Sequence, residues 1–187
     1  MKFISYHIGD GPATFGLVRE DGVVDLGARG PHATMREAIA AGELMSLGEA
    51  GMSADVDAVL PDVTFLPVIT DPDKILCAGL NYKDHVSETR NTLPSELQLF
   101  MRSANTLVGH CGEMERPRVS ENYDFEGELT AIIGKGGRHI SEADALDHVA
   151  GYTIFIDGSV RDYQRHSVTA GKNFYGSGPL GPWMVSA

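Results

Sequence analysis

Glu126 and Glu128 stand two residues apart in a stretch, Phe125 to Ile133, where residue character alternates. A strand turns every second side chain to the same face, so the two carboxylates project together and repel unless a proton or cation intervenes. Asp157 closes a second apolar stretch, Gly151 to Ile156, and is followed by Gly158-Ser159. The three acids make a set of hard oxygen donors that suits Mg²⁺ or Mn²⁺, whereas zinc favours His and Cys. Each piece also has an ordinary explanation: a Glu-x-Glu pair can face water, and Asp157 can cap the segment beginning at Ser159.

Groups that could move protons or hold anions flank these acids. His85 and Glu88 are three apart in a polar segment expected to form an exposed helical turn. At that spacing the carboxylate can accept from the imidazole and raise its basicity, giving a water activator, although the same spacing also serves plain surface contacts. Arg161, Gln164 and Lys172 follow Asp157 and offer a fork, an amide and a point charge for a carboxylate or developing oxyanion; surface ion pairs are the alternative. Gly134-Lys135-Gly136-Gly137 fits neither phosphate-loop nor dinucleotide spacing and reads as a turn.

The elements that must position these groups are legible in the pattern. Residues 2–8, 14–19 and 22–26 are rich in β-branched and aromatic residues with turn residues between them, which predicts a hairpin meander. Thr34 is placed to cap a helical segment carrying Met35, Ala38, Ile39, Leu44 and Leu47, with Gly42 and Gly48 weakening its continuity. Proline-bearing Pro61 to Asp73 reads as a connection, so the chain is expected to divide into a small N-terminal α/β subdomain and linker, 1–70, and a second domain, 71–187. Strands are predicted over 74–80, 125–133 and 151–156, and a short helix from Ser141 to about His148. The expected class is α+β and β-rich.

Composition narrows the partners. A formal charge of −11, from 15 Lys and Arg against 26 Asp and Glu, repels phosphate backbones and anionic lipid, so neither nucleic acid nor membrane is an expected partner. Local cations can still draw an anionic small molecule into a cleft. Cys77 and Cys111 form no Cys-x-x-Cys pair and read as packing residues. The N-terminal residues are interrupted by polar ones and show no signal-peptide pattern, which points to the cytoplasm.

In their order along the chain these segments resemble the fumarylacetoacetate hydrolase family. The resemblance rests on Lys74-Ile75-Leu76-Cys77-Ala78-Gly79-Leu80-Asn81-Tyr82-Lys83-Asp84-His85, Asp124-Phe125-Glu126-Gly127-Glu128-Leu129, Gly151-Tyr152-Thr153 to Asp157, Arg161-Asp162-Tyr163-Gln164, Gly171-Lys172 and Pro179-Leu180-Gly181-Pro182, spanning about 74–187. It implies a mixed β-roll catalytic domain, with Glu126, Glu128 and Asp157 binding Mg²⁺ or Mn²⁺. It also implies His85 with Glu88 as water activator or proton carrier, Lys172 as a catalytic cation, and Arg161 and Gln164 as substrate ligands. A homodimer acting on a small dioxo acid is implied, by C–C hydrolysis of an acylpyruvate, by decarboxylation of an oxaloacetate-type acid, or by enol–keto isomerisation. Family chains continue past the Pro-Leu-Gly-Pro segment. A chain ending at Ala187 is therefore expected to lack the strands that close the roll, leaving edges and apolar faces uncovered or making it a non-catalytic remnant.

Overall fold

The computed structural model describes residues 1–82 and 95–187. Strands β1 (Lys2–Ile8), β2 (Thr14–Arg19) and β3 (Gly22–Asp25) form the expected antiparallel meander, and Gly9 takes φ +52° in the first turn. Helix α1 (Leu26–Arg29) is capped by Asp25, whose side chain accepts from the Ala28 N–H. Helix α2 (Met35–Ala40) opens on a capping box in which Thr34 and Glu37 satisfy each other's backbone N–H. Gly42, at φ +71°, then breaks the helical pattern, and α3 (Leu44–Gly51) follows.

The proline-bearing connection contributes a strand of its own: β4 (Val63–Phe65) pairs with β1 from His7↔Thr64 outward. Next come β5 (Ile75–Gly79) and β6 (Gln98–Arg102), an antiparallel pair, then β7 (Leu107–Val108) and β8 (Tyr123–Asp124). The alternating acidic stretch is β9 (Gly127–Ile133), and the stretch ending at Asp157 is β10 (Val149–Ile156). Between them, Ser141 caps a 3-10 helix, Glu142–His148, where a short helix is expected. The chain finishes with β11 (Ser159–Val160), helix α4 (Val168–Lys172) and β12 (Gly178–Ser186).

The main sheet runs β3-β2-β1-β12-β10-β9, with β4 beside β1 and β7 parallel to β12. Its centre joins the two ends of the chain, Lys2 opposite Val185 and Phe3 opposite Met184. The core follows the sheet: Phe3, Leu17 and Val24 share one buried cluster with Phe155, Leu180 and Met184. The change in sequence character near residue 70 thus leaves sheet and core continuous, and the architecture is a β-rich mixture of strands and short helices.

Two local expectations are revised. Cys111 is exposed, at φ +62°, and is no packing residue; Cys77, half-buried on β5, is. On β9 the acidic side is the more buried one: Glu128 and Thr130 are half-buried and Ile132 is buried, while Leu129 is 69% and Ile133 64% exposed. With Ile154 and Val185 these residues leave an uncovered apolar area beside the edge strand β9.

Because Phe3 lies in the core cluster shared by both ends of the chain, Phe3→Ala is expected to cost about 3–5 kcal/mol. It should also lower a single unfolding transition. Urea denaturation followed by circular dichroism tests this; two separate transitions would show that the segments on either side of residue 70 unfold independently.

Candidate active site

Strand pairing brings the acids together. β9 and β10 are antiparallel, with Gly127 opposite Ile156 and Glu128 opposite Phe155. One residue further the Asp157 N–H donates to the Glu126 carbonyl at 2.8 Å, which sets Asp157 beside Glu126. Opposed residues share a face, so Glu126, Glu128 and Asp157 lie on the side of the sheet that carries buried Phe155. The turn after Asp157 needs Gly158, because a Cβ there would stand 2.1 Å from the Ser177 carbonyl oxygen.

Lys172 reaches the same point from α4, whose N-terminus Ser167 caps by accepting from the Ala170 N–H. Only 3% exposed, Lys172 donates from Nζ to Asp157 Oδ2 at 2.6 Å and also to Glu126 Oε2. Gly171 permits the approach: a Cβ there would meet Gln164 Cγ at 2.4 Å and the Val160 carbonyl at 2.9 Å. Arg161 closes the cluster's outer side, with Nη2 donating to Glu126 Oε1 at 2.7 Å and Asp124 Oδ2 at 2.6 Å, and Nη1 donating to Gln164 Oε1 at 3.3 Å. Six of the eight residues singled out in the sequence lie here. His85 and Glu88 lie outside the described residues.

Two residues of the cluster have no role assigned by the sequence. Arg102, at the end of β6, pairs with Asp157 Oδ1 and is itself buried; Asp124, on β8, is held by Arg161. A single Arg in a segment of ordinary strand character has no spacing to mark it. Asp124 stands at the head of the segment that carries the Glu-x-Glu pair.

The charges set distinct protonation preferences. Burial works against the ionised form of Glu126, but the Lys172 and Arg161 pairs outweigh it and hold that carboxyl below its ordinary value. Glu128 goes the other way, raised by burial and then by the negative charges of Asp157 and Glu126. The hydrogen bonds from Arg161 hold Asp124 below the usual carboxylate range. Glu126 and Asp157 thus converge on one cation, the Lys172 ammonium, with a third carboxylate near enough to feel both. The donor set fits a hard divalent cation in kind. In the arrangement described, the ammonium stands between Glu126 and Asp157, and no three His, Cys, Asp or Glu side chains among the described residues close on a single point.

Comparison with known proteins gives the family. Residues 74–187 match the family model described as fumarylacetoacetate (FAA) hydrolase C-terminal. The chain belongs to the fumarylacetoacetate hydrolase family. It is 36% identical over 201 residues to the mitochondrial oxaloacetate tautomerase of Xenopus laevis, an alignment covering 100% of this chain and 62% of the relative. With a mitochondrial oxaloacetate tautomerase of Homo sapiens it shares 39% identity over 174 residues, covering 88% of this chain and 55% of that one. Among solved structures it superposes, with TM-score 0.80 and 26% identity, on maleylpyruvate hydrolase from Sphingobium in complex with manganese(II) ion and pyruvate, over 100% of this chain and 67% of that one. The fumarylacetoacetate hydrolase from Exiguobacterium antarcticum matches with TM-score 0.78 and 29% identity, over 100% and 66%. The chain spans only 55% to 62% of the length of the two tautomerases. Both are named as mitochondrial, so they lend the expected cytoplasmic location no support; no helix among the described residues is long and apolar enough to cross a membrane.

Cys77, on the strand leading toward the undescribed segment, reports on the field of the cluster. Burial, and after it the charge of Asp157, raises its thiol from 9.0 to about 11. The folded state therefore binds this proton more tightly than the unfolded chain, and the stability this contributes is present below about pH 9 and lost as pH rises toward 11. In a Cys111→Ser background, alkylation of folded Cys77 by iodoacetamide should reach its midpoint near pH 11, whereas the urea-unfolded chain reaches its midpoint near pH 9. Coincident profiles, read by intact mass, would show that neither burial nor the charge of Asp157 raises the thiol.

Proposed function

We propose that this protein is a divalent-metal-dependent enzyme of small 2-oxo acids, and that its reaction is the enol–keto interconversion of an oxaloacetate-type dicarboxylate. The observation that carries the reading is the convergence of Glu126 and Asp157 on a single cation with Glu128 beside them. The 36–39% identity to oxaloacetate tautomerases over most of the chain supports the choice of reaction. Glu126, Glu128 and Asp157 would hold Mg²⁺ or Mn²⁺, and the ion when bound would polarise the substrate's oxygens and favour the enol form.

The chain's own groups do the rest. Lys172 has three N–H donors; in the arrangement described two go to Asp157 and Glu126, and an ion taking up those carboxylate oxygens would release them to a substrate oxygen. It is buried, so that hydrogen bond acts at low dielectric, where it stabilises developing negative charge more than it would in water. Arg161 and Gln164 hold one another at 3.3 Å at the cluster's rim and would grip the distal carboxylate, Arg161 through the one Nη1 N–H not spent on Asp124, Glu126 or Gln164 and the amide through its N–H. His85, with Glu88 to raise its basicity, would carry the proton between carbon and solvent.

A second reading is favoured by one observation, the superposition on a maleylpyruvate hydrolase bound to manganese and pyruvate. Hydrolysis of an acylpyruvate would use the same acids and Lys172, with His85 activating water for attack on the distal carbonyl. The site as read holds one small dioxo acid, and a homodimer is the expected assembly.

The deciding assay supplies Mg²⁺ or Mn²⁺ and offers enol-oxaloacetate and an acylpyruvate panel, following loss of enol absorbance, CO₂ release and pyruvate formation separately. Loss of enol absorbance without CO₂ or pyruvate is the expected result; pyruvate from acylpyruvates would select the second reading. Replacing Glu126 and Glu128 together by Ala should abolish calorimetric Mg²⁺ binding, because Asp157 alone cannot hold the ion, and unchanged affinity would remove these residues from the metal site. His85→Ala should keep the metal and lose at least about 100-fold in turnover. Full turnover in that variant would exclude the histidine from proton transfer.

A further inference from the structure

We propose that Arg102 is a positioning residue for the cation site: it pins one oxygen of Asp157, so that the other is the oxygen presented to the ion shared with Glu126. This rests on the metal-site reading above and extends it to a residue outside the acidic cluster.

The guanidinium is held on several sides. Nη1 donates to Asp157 Oδ1 and, at 3.2 Å, to the Gly158 carbonyl; Nη2 donates to Ser177 Oγ at 2.6 Å; Nε donates to Thr106 Oγ1 at 3.4 Å. Its Cζ lies over the Phe155 ring, 5.1 Å from the centroid. A planar fork cannot turn without breaking several of these contacts together, which a flexible ammonium in its place could do.

The backbone beneath it is clamped by the residue next to Lys172. Asn173 Nδ2 donates to the Met101 carbonyl at 2.9 Å, and Asn173 Oδ1 accepts from the Ser103 N–H at 2.7 Å, one residue to either side of Arg102. The end of α4 therefore places Lys172 and steadies Arg102 in one step.

The two oxygens of Asp157 consequently differ. Oδ1 is committed to Arg102, while Oδ2 meets the Lys172 ammonium at 2.6 Å, the same nitrogen that contacts Glu126. The terminal torsion of an aspartate is broad, so an unpinned carboxylate would offer either oxygen, or both, to an incoming ion. Arg102 removes that freedom and leaves Oδ2, paired here with Lys172, as the single oxygen that an ion taking the ammonium's place would meet.

Charge and positioning predict opposite signs, and this makes the idea testable. If Arg102 acted only as a charge, removing it would make the site more negative and tighten cation binding. As a positioning residue, its removal weakens binding.

The experiment measures Mn²⁺ affinity by calorimetry for the unaltered protein, Arg102→Met and Arg102→Lys, with metal-free thermal stability followed alongside. Arg102→Met, an apolar side chain of similar length, should bind Mn²⁺ at least tenfold more weakly, and Arg102→Lys, a cation without the planar fork, should recover only part of that loss. Should the Met variant not fold, Arg102→Gln takes its place with the same expected loss. Affinity equal to or tighter than that of the unaltered protein in the folded neutral variant overturns the proposal, as does a Lys variant no better than the neutral one. No Mn²⁺ binding by the unaltered protein overturns the metal-site reading and this proposal with it; binding there, with unweakened variants, overturns the proposal alone.

Discussion

A carboxylate that is 2% exposed cannot keep its charge without partners, and Asp157 has one on each side: Arg102 at one oxygen, Lys172 at the other. Desolvating three charged groups together is costly, and the arrangement holds because each is paired and further hydrogen-bonded. Much of the nearby structure serves that requirement. β10 delivers Asp157, β6 ends at Arg102, α4 ends at Lys172, and Gly158 lets the Ser177 backbone come close enough for Ser177 Oγ to take up the rest of the guanidinium.

The same requirement explains why β9 inverts the usual strand pattern. An amphipathic strand ordinarily turns its apolar side inward, and Leu129 and Ile133 would be the natural choice. Instead the glutamates take the inner side, where Lys172 and Arg161 compensate them, and the apolar residues face outward along the sheet edge. Two large aliphatic side chains are thereby left outside, each of which would contribute about 1.5–3 kcal/mol if fully covered.

Local chemistry made most of the fold legible. The hairpin meander, the Thr34 cap, the break at Gly42 and the strands carrying the acids all follow from short-range rules of turn residues, caps and alternation. The pairing of β4 with β1 and the exposure of Cys111 did not follow, because both depend on what the rest of the chain places nearby. The same division runs through the site. Glu126, Glu128, Asp157, Arg161, Gln164 and Lys172 could be named from residue type and order alone, and Arg102 could not.

The sequence by itself determined the family, the set of acidic and basic groups and the strands that bear them, because periodicity and motif order are written within short stretches. Only the tertiary structure decided that the ends of the chain share one sheet and that Glu126 and Asp157 meet one ammonium. It alone revealed that an arginine 55 residues away neutralises Asp157. These are contacts across long loops, fixed by sheet register and by the need to compensate a buried charge, and neither constraint leaves a local pattern in the chain.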